Sequence, residues 1–132
     1  MVAMPSRHVM LDLAPTVGAA RIARRELERN FSQHLPRLTL DDVKLIVSEL
    51  VNNSVVHGSG PVHLDAKIGG RQVRLEVSDD DGSDAEPAVI HRPVGRGGLG
   101  LRIVDKLAKT WGTQQTHKTL VWAEVQIGAT RV

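Results

Sequence analysis

A chain of 132 residues, 41% hydrophobic and 24% charged, has room for one domain with a sizeable core. Its formal charge of +2 and its sparse aromatics (Phe31, Trp111 and Trp122) argue against a nucleic-acid-binding module, which relies on a basic stripe or on stacking platforms. Without cysteine there is no disulfide or thiolate chemistry, and no apolar run is long enough to span a membrane. One soluble, cytoplasmic domain over residues 1–132 is therefore expected.

The chain opens with a short strand predicted over residues 8–13. Ala14-Pro15-Thr16 breaks it and offers Thr16 as a helix cap. Ala20, Ala23, Leu27 and Phe31 then recur at helical spacing, with Arg21, Arg24, Arg25, Glu26, Glu28 and Arg29 on the solvated side. After Pro36, Thr39 and Asp42 have the spacing of a capping box, and a second helix runs to about His57 with Gly58 as its stop.

Two alternating runs follow, Val62-Leu64-Ala66-Ile68 and Val73-Leu75-Val77, joined through Gly69-Gly70 as a hairpin. Residues 79–97 lack periodicity, and a loop of that length inside a compact domain is usually functional. Leu99, Ile103, Leu107 and Trp111 predict a third helix ended by Gly112, and strands are expected around 113–117 and 119–127. Trp111 and Trp122 read as core anchors. The order β-α-α-β-β-loop-α-β-β predicts an α+β fold: a two-layer sandwich with a mixed, mostly antiparallel sheet and its helices on one face.

Three features carry chemistry. Glu49 and Asn53 are one helical turn apart, at the margin of the stripe formed by Val43, Val47, Leu50 and Ser54. Taken alone, such a pair more often marks an exposed polar edge; what favours a cleft is the hairpin, acidic turn, long loop and glycine run that follow it in that order. Asp79 continues the alternation of Val73, Leu75 and Val77, which turns it inward at the strand's end, where it could accept a hydrogen bond from an amino group. The alternative is a solvated turn through Asp79-Asp80-Asp81-Gly82.

Gly95-Arg-Gly97-Gly98-Leu99-Gly100 matches a dinucleotide fingerprint formally, but it follows a long loop instead of a first strand, and no Lys-Ser/Thr completes a Walker motif. What remains is a glycine run opening a helix, suited to phosphate or simply to a flexible loop.

In this order the motifs resemble the GHKL (Bergerat-type) ATP-binding fold, and within it the bacterial anti-sigma-factor serine/threonine kinases. Glu49-Leu-Val-Asn-Asn53-Ser-Val-Val-His57 is similar to that group's Glu-Leu-Val-x-Asn-x-Val-x-His box. Gly95 to Gly112 follows its glycine box with about one additional glycine, and Leu120-Val-Trp122-Ala-Glu-Val resembles its closing strand.

The resemblance implies ATP and Mg²⁺ as cofactors. It makes Glu49 the catalytic base, Asn53 the Mg²⁺ ligand and Asp79 the adenine contact, preferred over Asp80 on strand parity. Gly95, Gly97, Gly98, Leu99 and Gly100 would wrap the phosphates beneath a lid over 82–97, with Thr119 as a further phosphate contact. It implies an anti-sigma factor that phosphorylates a serine on a STAS-type anti-anti-sigma protein, binds a sigma factor, self-associates as a homodimer, and contacts neither nucleic acid nor membrane. The alternative is an ATP-binding regulatory adaptor with little or no phosphotransfer. A sensor histidine kinase shares the fold, but no dimerisation helix or phosphoacceptor segment is found in this chain.

Overall fold

The computed structural model describes residues 5–80, 88–90, 99–115 and 118–128, and the side chains of 88–90 and 99–100 are left aside. Six strands form one sheet in the order β1-β2-β3-β6-β5-β4, with β1 at His8–Leu13, β2 at Val62–Gly69, β3 at Gln72–Asp79, β4 at Ala88–Ile90, β5 at Thr110–Gln115 and β6 at Thr119–Gln126. Every pairing among these strands is antiparallel. Helices α1 (Ala19–Phe31), α2 (Arg37–His57) and α3 (Leu99–Leu107) complete the described elements, and no described helix is long and apolar enough to cross a membrane.

Alternation explains the layers. Val62, Leu64 and Ala66 of β2, Val73, Leu75 and Val77 of β3, and Ala123 and Val125 of β6 are all buried and face the helices. Against them pack Ala20, Ala23, Leu27 and Phe31 of α1 and Leu40, Val43, Ile46, Val47, Leu50 and Val51 of α2. The intervening residues of each strand form the opposite, polar face. There Arg74 bonds Glu76 and Glu124, and its guanidinium lies 4.9 Å from the Trp122 ring centroid.

Local details differ from the sequence expectation. Helix α1 starts at Ala19 with Gly18 before it, so Thr16 caps nothing with its side chain and instead its carbonyl accepts the Ala19 N–H at 3.1 Å. Helix α2 starts at Arg37 directly after Pro36, whose extended ψ of 149° sets the entry. Thr39 is therefore inside the helix, buried, with its hydroxyl oxygen accepting the Gly128 N–H, and the capping box does not form.

The β2–β3 turn falls at Gly70-Arg71, not at the glycine pair, since Gly69 still pairs with Gln72 and Gly70 alone takes a positive φ of 61°. Helix α3 stops at Leu107, and Trp111 and Gly112 belong to β5. Trp111 is buried at 7% exposure with its indole N–H on Asp105, whereas Trp122 is half-buried on the polar face and is not a core anchor. β4 pairs with β5 inside the segment expected to be loop.

One charge cluster ties α1 to α2. Arg37 reaches both oxygens of Glu28 at 2.9 and 3.0 Å, and Lys44 bonds Glu28 at 2.8 Å. The hydrogen bonds from Arg37, then Lys44, hold the Glu28 carboxyl down at about 2. Because this lies below the ordinary value of 4.5, the associated stability is complete above that pH and is lost as pH falls toward 2. Glu28→Gln is expected to cost about 0.5–1 kcal/mol in urea unfolding at pH 7, a figure kept small by solvent screening. The difference from wild type should shrink below about pH 4 and vanish near pH 2.

Candidate functional site

The site is built where the C-terminal half of α2 meets the end of β3. Glu49 and Asn53 are half-buried on adjacent turns at the edge of a face formed by Ile46, Leu50, Val51 and Ser54, which are buried. Each turn advances about 5.4 Å, so both side chains project along one margin of the helix. Neither bonds to another described residue, which leaves the carboxylate and the carboxamide available to a ligand. The 21-residue α2 ends at His57, exposed in the last turn, and the Gly58 N–H closes the helix on the Ser54 carbonyl at 2.9 Å.

Asp79 is 3% exposed, the inward position that strand parity predicted, while Asp80 is exposed. Gly58 presses directly against it. A β-carbon on Gly58 would lie 2.3 Å from Asp79 Oδ2, 2.4 Å from its Cγ and 2.6 Å from the Ser54 carbonyl oxygen. The missing side chain is thus what lets the end of α2 close over the Asp79 carboxylate. Sequence reading took Gly58 only as a helix stop; the signal it missed was that a buried strand-end carboxylate needs a neighbour without a side chain.

In the sheet register Asp79 stands between Val62 of β2 and Thr119 of β6. Directly opposed residues in an antiparallel pair share a face, so Thr119 projects to the same side as Asp79. Two of the sequence-nominated residues, Asp79 and Thr119, are thus cross-strand neighbours, and Glu49 and Asn53 lie on the helix whose end closes over Asp79. Leu99 and Gly100 supply the first turn of α3, whereas Gly95, Gly97, Gly98 and most of the 82–97 lid lie outside the described residues. A groove of about 780 Å³ lined by Leu38, Asp42, Leu107, Lys109 and Val125 is at the other end of α2, away from this cluster.

A mostly antiparallel sheet covered on one face by helices in this order is the architecture of a GHKL-type ATPase domain. Residues 13–124 match the family described as histidine kinase-like ATPase domain, and the chain belongs to that family. It is 34% identical over 77 residues to the anti-sigma F factor of Clostridium acetobutylicum, covering 50% of this chain and 54% of that protein.

It also superposes with a TM-score of 0.71, at 21% identity, on the crystal structure of the RsbU and RsbW domains of Rv1364c from Mycobacterium tuberculosis, which bears on the fold. That match covers 93% of this chain and 33% of the other. The chain spans about half the length of its curated relative, and it is a GHKL-type domain of the histidine kinase-like ATPase family.

Proposed function

We propose that this domain is an ATP-dependent protein serine/threonine kinase that acts as a switch in sigma-factor control, transferring a phosphoryl group to a STAS-type antagonist. The observation that carries the reading is the placement of Glu49 and Asn53 on one margin of α2, the helix whose C-terminal end closes over the buried Asp79. Kinship with the anti-sigma F factor supports the sigma-factor side of it, and the family supports ATP as the phosphoryl donor.

The donor set fits a magnesium nucleotide. Asn53 offers a hard carboxamide oxygen, as Mg²⁺ prefers, alongside the phosphate oxygens. When bound, Mg²⁺ neutralises charge on the phosphates. Asp79 accepts the amino group of the base, and Thr119, its cross-strand neighbour, supports the same end of the ligand. That moves Thr119 from the phosphates toward the base. In the transfer, the acceptor serine oxygen bonds the γ-phosphorus, the bond to the β–γ bridging oxygen breaks, ADP leaves, and the serine proton passes to Glu49. Positioning and charge neutralisation supply most of the rate in such reactions.

Two measurements test this. Mg-ATP at about 100 times its dissociation constant should raise unfolding stability by about 2.7 kcal/mol, and Mg-GTP should raise it much less. Incubation with γ-labelled ATP and a STAS-domain protein should label that protein on serine. No stabilisation by Mg-ATP sinks the nucleotide reading; stabilisation without labelling supports the adaptor reading instead.

A further inference from the structure

We propose that His63 is a positioning residue for the nucleotide site. By joining Asp12 and Asp80 on the uncovered face of the sheet, it holds the end of β3 so that Asp79 keeps its inward aim at the base. The inference rests on the nucleotide reading of Asp79 and goes beyond it, naming the group that steadies the backbone of that carboxylate from the opposite side.

Strand register puts the participants on one face. Asp12 of β1, His63 of β2 and Ser78 of β3 stand in one row across three strands, each opposite the next. Asp80, two residues beyond Ser78, continues that face by alternation. Asp79, between them, points the other way and is buried against the end of α2. Two successive carboxylates thus leave one strand end on opposite sides of the sheet, and a contact that fixes the backbone of one also fixes its neighbour.

The imidazole reaches both strand ends. His63 Nδ1 bonds Asp12 Oδ1, and its Nε2 lies 3.8 Å from Asp80 Oδ2. A ring with a carboxylate at each nitrogen answers both only as the cation, which has two N–H donors. At 3.8 Å the link to Asp80 is an attraction between charges and not a hydrogen bond. Among the described residues it is the one ion pair that Asp80 makes.

The other charged groups bordering the cleft around His63 are Asp65 of β2, Glu76 of β3 and Lys118 ahead of β6. His8 bonds Asp65 at 2.9 Å and Arg74 bonds Glu76 at 2.8 Å, so these two carboxylates have their own partners. The loop between α2 and β2 grips the same strand end. Gly60 has a φ of 70°, and a β-carbon there would lie 3.6 Å from Asp80 Cβ, while Gly58 presses on Asp79. Those contacts locate the chain and leave its charge unbalanced. Without the imidazole, Asp80 is repelled by Asp12 across the strands and by Asp79 beside it, and the strand end that aims Asp79 loosens.

The test titrates Mg-ATP and Mg-ADP into the full chain by calorimetry. The His63 side chain is 39% exposed, so His63→Ala and His63→Gln should both keep the circular dichroism of wild type. Both should weaken the two nucleotides by the same factor, about 3–5-fold, the upper range for a partly exposed ion pair. Asp80→Asn, which removes the repelled charge and keeps the shape, should bind like wild type. The double variant His63→Ala, Asp80→Asn should recover that affinity, a rescue that a packing role for His63 would not produce.

A double variant that binds no better than His63→Ala would overturn the inference. So would wild-type affinity in His63→Ala, which leaves the nucleotide reading standing. A loss clearly larger for Mg-ATP than for Mg-ADP would show the Asp80 charge acting on the phosphates, and would overturn the positioning role. A wild type that binds neither nucleotide would overturn the nucleotide reading and this inference together.

Discussion

Glu49→Gln is expected to lower serine phosphorylation about 10²–10⁴-fold while leaving stabilisation by Mg-ATP in place. The substitution keeps the size and shape of the side chain and changes what it can accept: a carboxylate takes the serine proton, a carboxamide does not. Glu49 makes no bond to another described residue, so its replacement breaks no network among the described residues and the fold should stay within about 0.5 kcal/mol of wild type. The same measurements on Asn53→Ala should show the reverse order of effects, with nucleotide stabilisation lost first, because its carboxamide is the proposed Mg²⁺ ligand. Undiminished transfer by Glu49→Gln would remove Glu49 as the base. Loss of nucleotide stabilisation in that variant would instead make Glu49 a binding residue.

Which parts of this site were legible follows from the kind of signal each residue gives. Asp79 was readable because strand parity is a period of two, and three buried residues, Val73, Leu75 and Val77, fix its phase. The margin position of Glu49 and Asn53 was readable for the same reason at the helical period, over a 21-residue helix whose phase is set by many buried positions.

What failed lies where local pattern and tertiary context compete. Trp111 continues the helical spacing of Leu99, Ile103 and Leu107, yet β5 claims it, because Thr110–Gln115 pairs along β6 and ladder bonds outweigh one more helical contact. Thr39 has the side chain for a cap, but Pro36 starts the helix earlier and Thr39 is turned to the Gly128 N–H, a partner 89 residues away. Trp122 alternates with residues that face the helices, and its large apolar ring hid the fact that it covers the polar side with Arg74. The close approach of Gly58 to Asp79 joins two elements 21 positions apart and has no periodicity at all.

That approach carries the other large expected effect. Gly58→Ala places a carbon 2.3 Å from the Asp79 carboxylate oxygen and 2.6 Å from the Ser54 carbonyl oxygen, too close for the native arrangement to persist. Either the last turn of α2 withdraws or the carboxylate rotates out of its buried position. A loss of about 1–3 kcal/mol in unfolding stability is expected, as for other overpacked sites.

Under the adenine-contact reading, Mg-ATP affinity should fall about 10–100-fold, the value of one hydrogen bond to a charged group. Asp79→Ala should weaken nucleotide binding by a similar factor, yet it also removes the atoms with which the new methyl collides. The double variant Gly58→Ala, Asp79→Ala should therefore be more stable than the sum of the single changes predicts, by about 0.5–3 kcal/mol in a double-mutant cycle. Strict additivity would show that the two residues are not in energetic contact, and that Gly58 serves the helix end alone. A positive coupling together with lost nucleotide stabilisation in both single variants would identify the end of α2 as the part that holds the Asp79 carboxylate in position for the base.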